Sequence, residues 1–126
     1  MVAEANHIAI CIPCYNESSN IEALYVRLAR VLEQFPGDVF SIVFADNCST
    51  DHTVDLIQAL AARDSRVGLI RNVSNFGFVR SSANALLVPD ADANVFLMSD
   101  LQDPPELVAE LIMAWKKGEG QVIQSA

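Results

Sequence analysis

Short apolar runs of strand length recur along the chain and are separated by longer stretches of mixed polarity. The runs are rich in Ile, Val and Phe, a composition typical of strands that are buried on both faces of a sheet. Proline or polar residues follow the first four runs, as expected where a strand ends. The runs predict five strands, at residues 7–12, 39–45, 67–71, 94–99 and 121–125.

The stretches between the runs carry apolar residues at spacings of three, four and seven, most clearly in residues 20–35, and this is the repeat of an amphipathic helix. They predict helices at residues 20–35, from 50 or 51 to 63, around 80–88 and at 104–117. Ser19 with Glu22 and Asp103 with Glu106 fit the capping box that begins a helix, and Gly118 fits a C-terminal cap.

Alternating strands and helices indicate an α/β fold, a Rossmann-like and mainly parallel sheet with helices on both faces. A length of 126 residues fits one domain, and 52% hydrophobic residues allow a compact core. In such a sheet the carboxyl ends of the strands lie at one edge, where ligands bind. Four polar segments follow the strands and are predicted to converge there: residues 13–17, 46–51, 71–80 and 99–103.

Acidic residues outnumber basic ones by 16 to 8, which gives the chain a formal net charge of −8. Nucleic-acid binding depends on clustered Lys and Arg, so this charge argues against a nucleic-acid partner. It would also repel a nucleoside diphosphate unless a divalent cation bridged the phosphates to a carboxylate. Mg²⁺ or Mn²⁺ is therefore expected if the ligand is a diphosphate.

Cys11 and Cys14 have the spacing of a redox or zinc pair. Two further zinc ligands would have to come from Cys48, His7 and His52, which form no matching pair. Because Cys11 and Cys14 lie in or just after an apolar run, we favour the interpretation that they are small buried hydrophobic residues.

The polar segments at residues 13–17 and 75–80 each have an ordinary structural explanation beside a functional one. Residues 13–17 fit a turn, although Tyr15 offers a flat face and Glu17 a carboxylate, as a nucleoside site requires. Gly77 fits a backbone with positive φ, and Arg80 fits either a solvated surface or a diphosphate site.

Helix capping explains some acidic residues that follow the strands but not all of them. Asp51 fits a cap, whereas Asp46 stands at the end of a buried strand and needs hydrogen bonds that the N–H group of a base could supply. Capping also leaves Asp100 and Gln102 unexplained, and their hard oxygen atoms suit a metal ion and a phosphorylated ligand.

Three of these segments, in their order and spacing, resemble those of family 2 glycosyltransferases. Residues 13–17 resemble the PxYNE opening, residues 46–51 the DDGSTD segment, and residues 100–106 the DLQDPPE of the polyprenyl-phosphate branch. The resemblance implies a GT-A fold and a metal-dependent transfer of sugar, with inversion, from a nucleotide-diphosphate sugar. It implies that residues 1–126 form the nucleotide-sugar-binding domain, incomplete at its C-terminus.

The resemblance also implies roles for individual residues at the strand ends. Glu17 would bind the ribose hydroxyls, and Asp46 would accept a hydrogen bond from the base. The implied nucleotide-sugar-binding residues are Pro13, Tyr15, Glu17, Asp46, Asn47, Ser49, Gly77, Arg80, Ser99 and Asp100. Asp100 and Gln102 would bind Mg²⁺ or Mn²⁺, which would act as a Lewis acid on the departing diphosphate.

Four positions depart from the family pattern. Met98 and Ser99 stand where the metal motif usually has its first acid and its middle residue. Asn47 and Cys48 replace the second Asp and the Gly of DDGSTD. Because one carboxylate is missing, metal affinity is expected to be lower or to depend on Gln102 and Asp103.

The resemblance sets further expectations for the whole protein. The general base on the acceptor side is expected beyond Ala126, so the chain alone is expected to be inactive and contains no assigned catalytic base. A UDP-sugar donor and a polyprenyl phosphate acceptor are favoured, with a role in cell-wall or polysaccharide synthesis. The chain is expected to be cytoplasmic, and the full-length protein to work at the cytoplasmic face of a membrane. The alternative is a non-catalytic module that self-associates through an exposed sheet edge, forming a homo-oligomer.

Overall fold

The computed structural model of the chain describes residues 6–71, 91–100, 104–117 and 122–124. These residues form five parallel strands in the order β3-β2-β1-β4-β5. The strands are β1 (His7–Cys14), β2 (Val39–Asp46), β3 (Val67–Arg71), β4 (Ala93–Phe96) and β5 (Val122–Gln124). The described residues also form the helices α1 (Ile21–Leu32), α2 (Thr53–Arg63) and α3 (Leu107–Lys116). The predicted α/β class with a parallel sheet is confirmed.

The carboxyl ends of β1 and β4 differ most from the predicted ones. β1 continues through Pro13, which pairs with Ala45 of β2. Alternate residues of a central parallel strand bond to opposite neighbours, and the carbonyl of Cys11 accepts from the N–H group of Leu97 on the β4 side. The backbone nitrogen of Pro13 therefore faces the β4 side, beyond the end of β4. Because no described strand pairs there, the lack of an N–H group on Pro13 costs no ladder hydrogen bond. β4 is shorter than predicted because pairing ends at Phe96.

The core lies on one face of the sheet, against all three described helices. Register places Ile8, Ile10 and Ile12 of β1 beside Phe40, Ile42 and Phe44 of β2 on this face. Buried residues of the helices join the same cluster: Ile21, Leu24, Leu28, Val31, Leu32, Ile57, Leu60, Val108, Ala109 and Ile112. The amphipathic repeats of the sequence thus fix which side of each helix is buried.

The opposite face of the sheet carries smaller side chains. Ala9, Cys11 and Ala45 form a separate buried cluster there, and Ala9 and Cys11 are fully inaccessible to solvent. This burial fits a sheet that is covered on both faces. The helix predicted around residues 80–88 lies outside the described residues, as do the predicted caps Asp103 and Gly118.

The predicted capping box of α1 is wrong, because α1 has no side-chain cap. The box of α3 involves Asp103, outside the described residues, and the acidic residues of both boxes form ion pairs. Glu22 pairs with Arg63 of α2 at 3.3 Å, and the residue that precedes α1 is Asn20 rather than Ser19. Glu106 pairs with Arg27 of α1. α3 consequently begins three residues later than predicted, after a turn in which the N–H of Leu107 donates to the carbonyl of Pro104 at 2.9 Å.

Candidate functional site

The order of the strands places a reversal of chain direction beside β1. The chain moves outward from β1 through β2 to β3, and it resumes on the other side of β1 as β4. Open parallel sheets bind ligands at such a reversal, outside the carboxyl ends of the strands. Asp46 ends β2, Tyr15 follows β1, and Asp100 follows β4 after a short connection. The topology therefore brings three of the predicted site residues to one edge of the sheet.

The loop after β1 presents an aromatic ring and a carboxylate at this edge. Pro13 is buried within the strand, whereas the side chain of Tyr15 is 45% exposed. Glu17 is half-buried, and its Oε2 accepts a hydrogen bond from the Asn20 amide at 2.8 Å. The ring thus offers an accessible flat surface beside an oriented carboxylate.

Asp46 is fully buried, and its carboxylate is held by Ser49. The backbone N–H of Ser49 donates to Oδ2 at 2.9 Å, and the Ser49 hydroxyl donates to Oδ1. The sequence indicated a buried carboxylate that needed donors, and the loop after β2 supplies two of them. An ionised carboxylate has about four acceptor positions, so the hydrogen-bonding capacity of Asp46 exceeds these two bonds.

Asn47 and Cys48 complete the turn that carries Ser49. Asn47 is nearly buried, and its backbone N–H donates to the carbonyl of Cys14 at 2.9 Å, which extends the pairing of β2 with β1. Cys48 has a φ of 63°. This left-handed conformation favours glycine, so the turn geometry accounts for the Gly of the DDGSTD pattern at this position.

The end of β4 contributes one described carboxylate. Ser99 is buried and Asp100 half-buried in a turn, after the half-buried Met98. Gln102, Gly77 and Arg80 lie outside the described residues, and their predicted roles stay predictions.

The donor set at this edge can be tested for its fit to a metal ion. Within the described residues, no group of three or more His, Cys, Asp or Glu side chains could hold one. Mg²⁺, however, is commonly held by one or two carboxylates together with substrate phosphates. Asp100 alone fits that arrangement, provided that a diphosphate supplies further oxygen ligands.

Arg71 is a candidate site residue to which the sequence analysis gave no role. It ends β3, is exposed, and stands in register with Asp46 on β2. Paired residues of parallel strands project from the same face of a sheet, so Arg71 and Asp46 occupy neighbouring positions on one face at the ends of their strands. Only the strand pairing carries that signal, since 25 positions separate the two residues in the sequence.

Local hydrogen bonds and burial set the charge states around the site. Burial alone would raise the pKa of Asp51, but hydrogen bonds from Thr53 and Ser18 outweigh it and lower this pKa to about 2. Burial raises the pKa of the Cys11 thiol to about 12, and burial together with the neighbouring Asp46 raises that of Cys14. Both thiols are free and stay protonated, in agreement with their interpretation as buried hydrophobic residues.

A described cavity of about 550 Å³ lies at the other end of the sheet, away from these residues. It is formed where α1 ends and β2 begins, and its walls include Leu32, Phe35, Phe40 and Arg66. The candidate site is distinct from this cavity.

The sequence matches the family described as glycosyl transferase family 2 over residues 9–126. It is 32% identical over 118 residues to a dolichol-phosphate mannosyltransferase of Pyrococcus furiosus, covering 94% of this chain and 32% of that protein. It is 33% identical over 116 residues to a bactoprenol glucosyl transferase of Shigella phage SfV, covering 92% of this chain and 38% of that protein. The chain spans about a third of the length of these relatives.

Solved glycosyltransferase structures share the fold. A mannosyltransferase of Pyrobaculum calidifontis, in complex with GDP-Man and Mn²⁺, matches with a TM-score of 0.56 and 23% identity over 65% of this chain and 24% of that one. TarS of S. aureus, residues 1–349 in complex with UDP-GlcNAc, matches with a TM-score of 0.56 and 22% identity over 85% of this chain and 32% of that one. In the described part of the chain, the helices are too short or too polar to span a membrane.

Proposed function

This chain belongs to glycosyl transferase family 2, and on that premise we propose that it binds the nucleotide-sugar donor of a metal-dependent, inverting glycosyltransferase. The observation that carries the proposal is the edge of the sheet at which Tyr15, Asp46 and Asp100 follow three adjacent strands. An aromatic face, a buried acceptor and a hard oxygen ligand suit the base, the nucleoside and the metal-bound diphosphate of such a donor.

The nucleoside is assigned to the ends of β1 and β2. The exposed Tyr15 ring stacks on the base, and the Asp46 carboxylate accepts a hydrogen bond from a base N–H. Glu17, already oriented by Asn20, accepts hydrogen bonds from the ribose hydroxyls. Arg71 stands in register with Asp46, and it adds a positive charge to an edge that is otherwise acidic.

The diphosphate is assigned to the end of β4, where Asp100 holds a divalent cation. Once bound, Mg²⁺ or Mn²⁺ neutralises the negative charge that develops on the departing nucleoside diphosphate. Gln102 is proposed as a second ligand. Through a bound cation, Asp100 would hold the diphosphate at this edge of the sheet.

Names of relatives and neighbours support the choice of donor and acceptor. Dolichol-phosphate and bactoprenol appear in the names of two relatives, which supports a polyprenyl phosphate acceptor. Neighbouring structures hold UDP, UDP-GlcNAc or GDP-Man, which supports uracil or guanine as the base, and we favour UDP. A lipid acceptor would place the whole protein at the cytoplasmic face of a membrane, in cell-wall or polysaccharide synthesis.

Calorimetric titration of the chain with UDP and GDP, with Mn²⁺ present or removed by EDTA, tests this proposal. We expect binding of one nucleotide to tighten at least about tenfold with Mn²⁺, and Asp100→Asn to abolish that gain because it weakens the metal ligand. Asp92→Asn is a matched control at the other end of the β4 region, where the carboxylate accepts from the backbone of His7 at 2.7 Å. The absence of binding by the wild-type chain in Mn²⁺ would contradict the proposal.

Self-association is a second candidate function, favoured by the edge of the described sheet. Within that sheet β3 pairs with β2 alone, and its Ile70 side chain is 44% exposed. An exposed apolar edge strand can pair with a second copy of itself. Light scattering at increasing concentration should then show a dimer that Ile70→Lys dissociates, whereas a monomer at high concentration would exclude this function.

A further inference from the structure

Hydrogen bonds between the loop after β1 and the loop after β2 join the two halves of the proposed nucleoside site. Asn16 lies in the first loop, between Tyr15 and Glu17, and its backbone N–H donates to the Ser49 hydroxyl at 2.9 Å. The backbone N–H of Glu17 donates to the Thr53 hydroxyl at 2.9 Å. The N–H of Ser18 donates to Asp51 at 3.2 Å. Three consecutive backbone amides of one loop are therefore bound by side chains of the other.

Asn16 also bonds in the opposite direction, through its side chain. Its Oδ1 accepts from the backbone N–H groups of Thr50 at 2.8 Å and Asp51 at 3.3 Å. These amides lie just before α2, where backbone N–H groups need acceptors from outside the helix. Asn16 has a φ of 51°, a conformation that Asn tolerates better than most residues. Its backbone conformation and its side chain thus both serve the contact between the loops.

The bond from Asn16 to Ser49 continues to the buried acid. The Ser49 hydroxyl accepts from the Asn16 backbone and donates to Oδ1 of Asp46, so the hydroxyl hydrogen has a fixed direction. A short chain of hydrogen bonds therefore connects the residue next to Tyr15 with the Asp46 carboxylate. The Ser49 hydroxyl, expected from the family resemblance to contact the donor, is used within the protein.

We infer that Asn16 is a positioning residue that fixes the Tyr15 ring relative to the Asp46 carboxylate, and so sets the affinity for the nucleoside. The inference rests on the proposed function, because it assumes that Tyr15 and Asp46 contact the same base. The Oδ1 atom of Asn16 is already bonded within the protein, so we assign Asn16 no direct contact with the nucleoside. It acts by preorganising two contacts that would otherwise have to be ordered when the ligand binds.

Two substitutions separate the side chain of Asn16 from its backbone conformation. Asn16→Gly keeps the positive φ accessible but removes the acceptor for Thr50 and Asp51. We expect the preferred nucleoside diphosphate and its nucleoside to bind about tenfold more weakly. Asn16→Asp keeps an acceptor oxygen and should bind within about threefold of wild type. Ser19→Gly is the matched control, because it introduces glycine at an exposed position of the same loop.

Binding of pyrophosphate with Mn²⁺ tests whether the substitution acts locally. A general loss of structure would weaken this binding, whereas the loss of a positioning contact in the nucleoside site would not. We expect Asn16→Gly to leave the affinity for pyrophosphate unchanged, while amide hydrogen exchange at Thr50 and Asp51 becomes faster. Unchanged nucleoside binding by Asn16→Gly, or an equal loss of nucleoside and pyrophosphate binding, would overturn the inference alone. A wild-type chain that binds neither UDP nor GDP would instead overturn the proposed function, and the inference with it.

Discussion

The two sides of the candidate site differ in how they are built. The nucleoside side, at the ends of β1 and β2, is held by hydrogen bonds that cross between two loops and reach the buried Asp46. The diphosphate side, at the end of β4, has one described carboxylate, the half-buried Asp100, next to Met98. The described hydrogen bonds of the protein preorganise the nucleoside side, whereas the proposed diphosphate side would gain further bonds from a cation and from the ligand.

This difference separates the contribution of each side to folding from its contribution to binding. A residue that is bonded within the protein contributes to stability even without ligand. A residue that binds a metal adds a further contribution when the cation and the nucleotide bind. Substitutions on the two sides should therefore affect different measurements.

Replacement of the two acids gives the largest expected contrast. Asp46→Ala leaves two Ser49 donors without their acceptor in a buried position, so it should lower the free energy of unfolding by about 2–3 kcal/mol. Asp100→Ala should lower it by about 1 kcal/mol or less, since the side chain is half-buried. Urea unfolding at neutral pH without metal measures both values. Equal losses of unfolding free energy for Asp46→Ala and Asp100→Ala would show that the two sides contribute equally to stability.

Cys48→Gly is expected to stabilise the turn that carries Ser49. A non-glycine residue with a φ of 63° is strained, and glycine relieves the strain at the cost of a more flexible unfolded chain, for a net gain of about 0.5–1 kcal/mol. Cys48→Ala removes the thiol but keeps the Cβ atom, so it should bring no such gain. A rise in the melting temperature for both variants would assign the effect to the thiol instead.

The smallest expected effect is a pH dependence that arises from Asp51. Its pKa is lower in the folded chain, about 2, than the roughly 3.9 of an unfolded Asp. The stabilisation is therefore complete above about pH 4 and is lost as the pH falls towards 2. Asp51 is exposed, so solvent screening keeps the effect small. Asp51→Asn should reduce the decline in unfolding free energy between about pH 4 and pH 2. An unchanged decline would show that this pH dependence does not arise from Asp51.

Local pattern predicted the elements of the fold more reliably than their ends. β3 was predicted with its observed bounds, because its apolar run and its pairing end at the same residue. β1 was predicted too short, since the cost of Pro13 depends on where the neighbouring strand stops. The capping box of α1 failed because α1 begins after Asn20 and has no side-chain cap. Glu22 and Glu106 have Arg partners that are distant in sequence, at positions 63 and 27.

The candidate site shows the same division between local and long-range information. Family motifs identified Tyr15, Asp46 and Asp100, and the sheet topology places them at one edge. Motifs could not reveal the connecting role of Asn16 or the register of Arg71, because their partners lie 33 to 35 and 25 positions away. The positive φ of Cys48 could not be predicted from the sequence either, because residues other than glycine seldom adopt it.

Binding of a nucleotide sugar by the wild-type chain tests the central claim most directly. UDP-GlcNAc and GDP-Man, titrated calorimetrically in Mn²⁺ and again in EDTA, cover both bases found in the neighbouring structures. The account predicts that one of them binds, that Mn²⁺ tightens its binding, and that the corresponding nucleoside binds equally with or without the metal. A chain that binds neither sugar nucleotide in Mn²⁺ would contradict it.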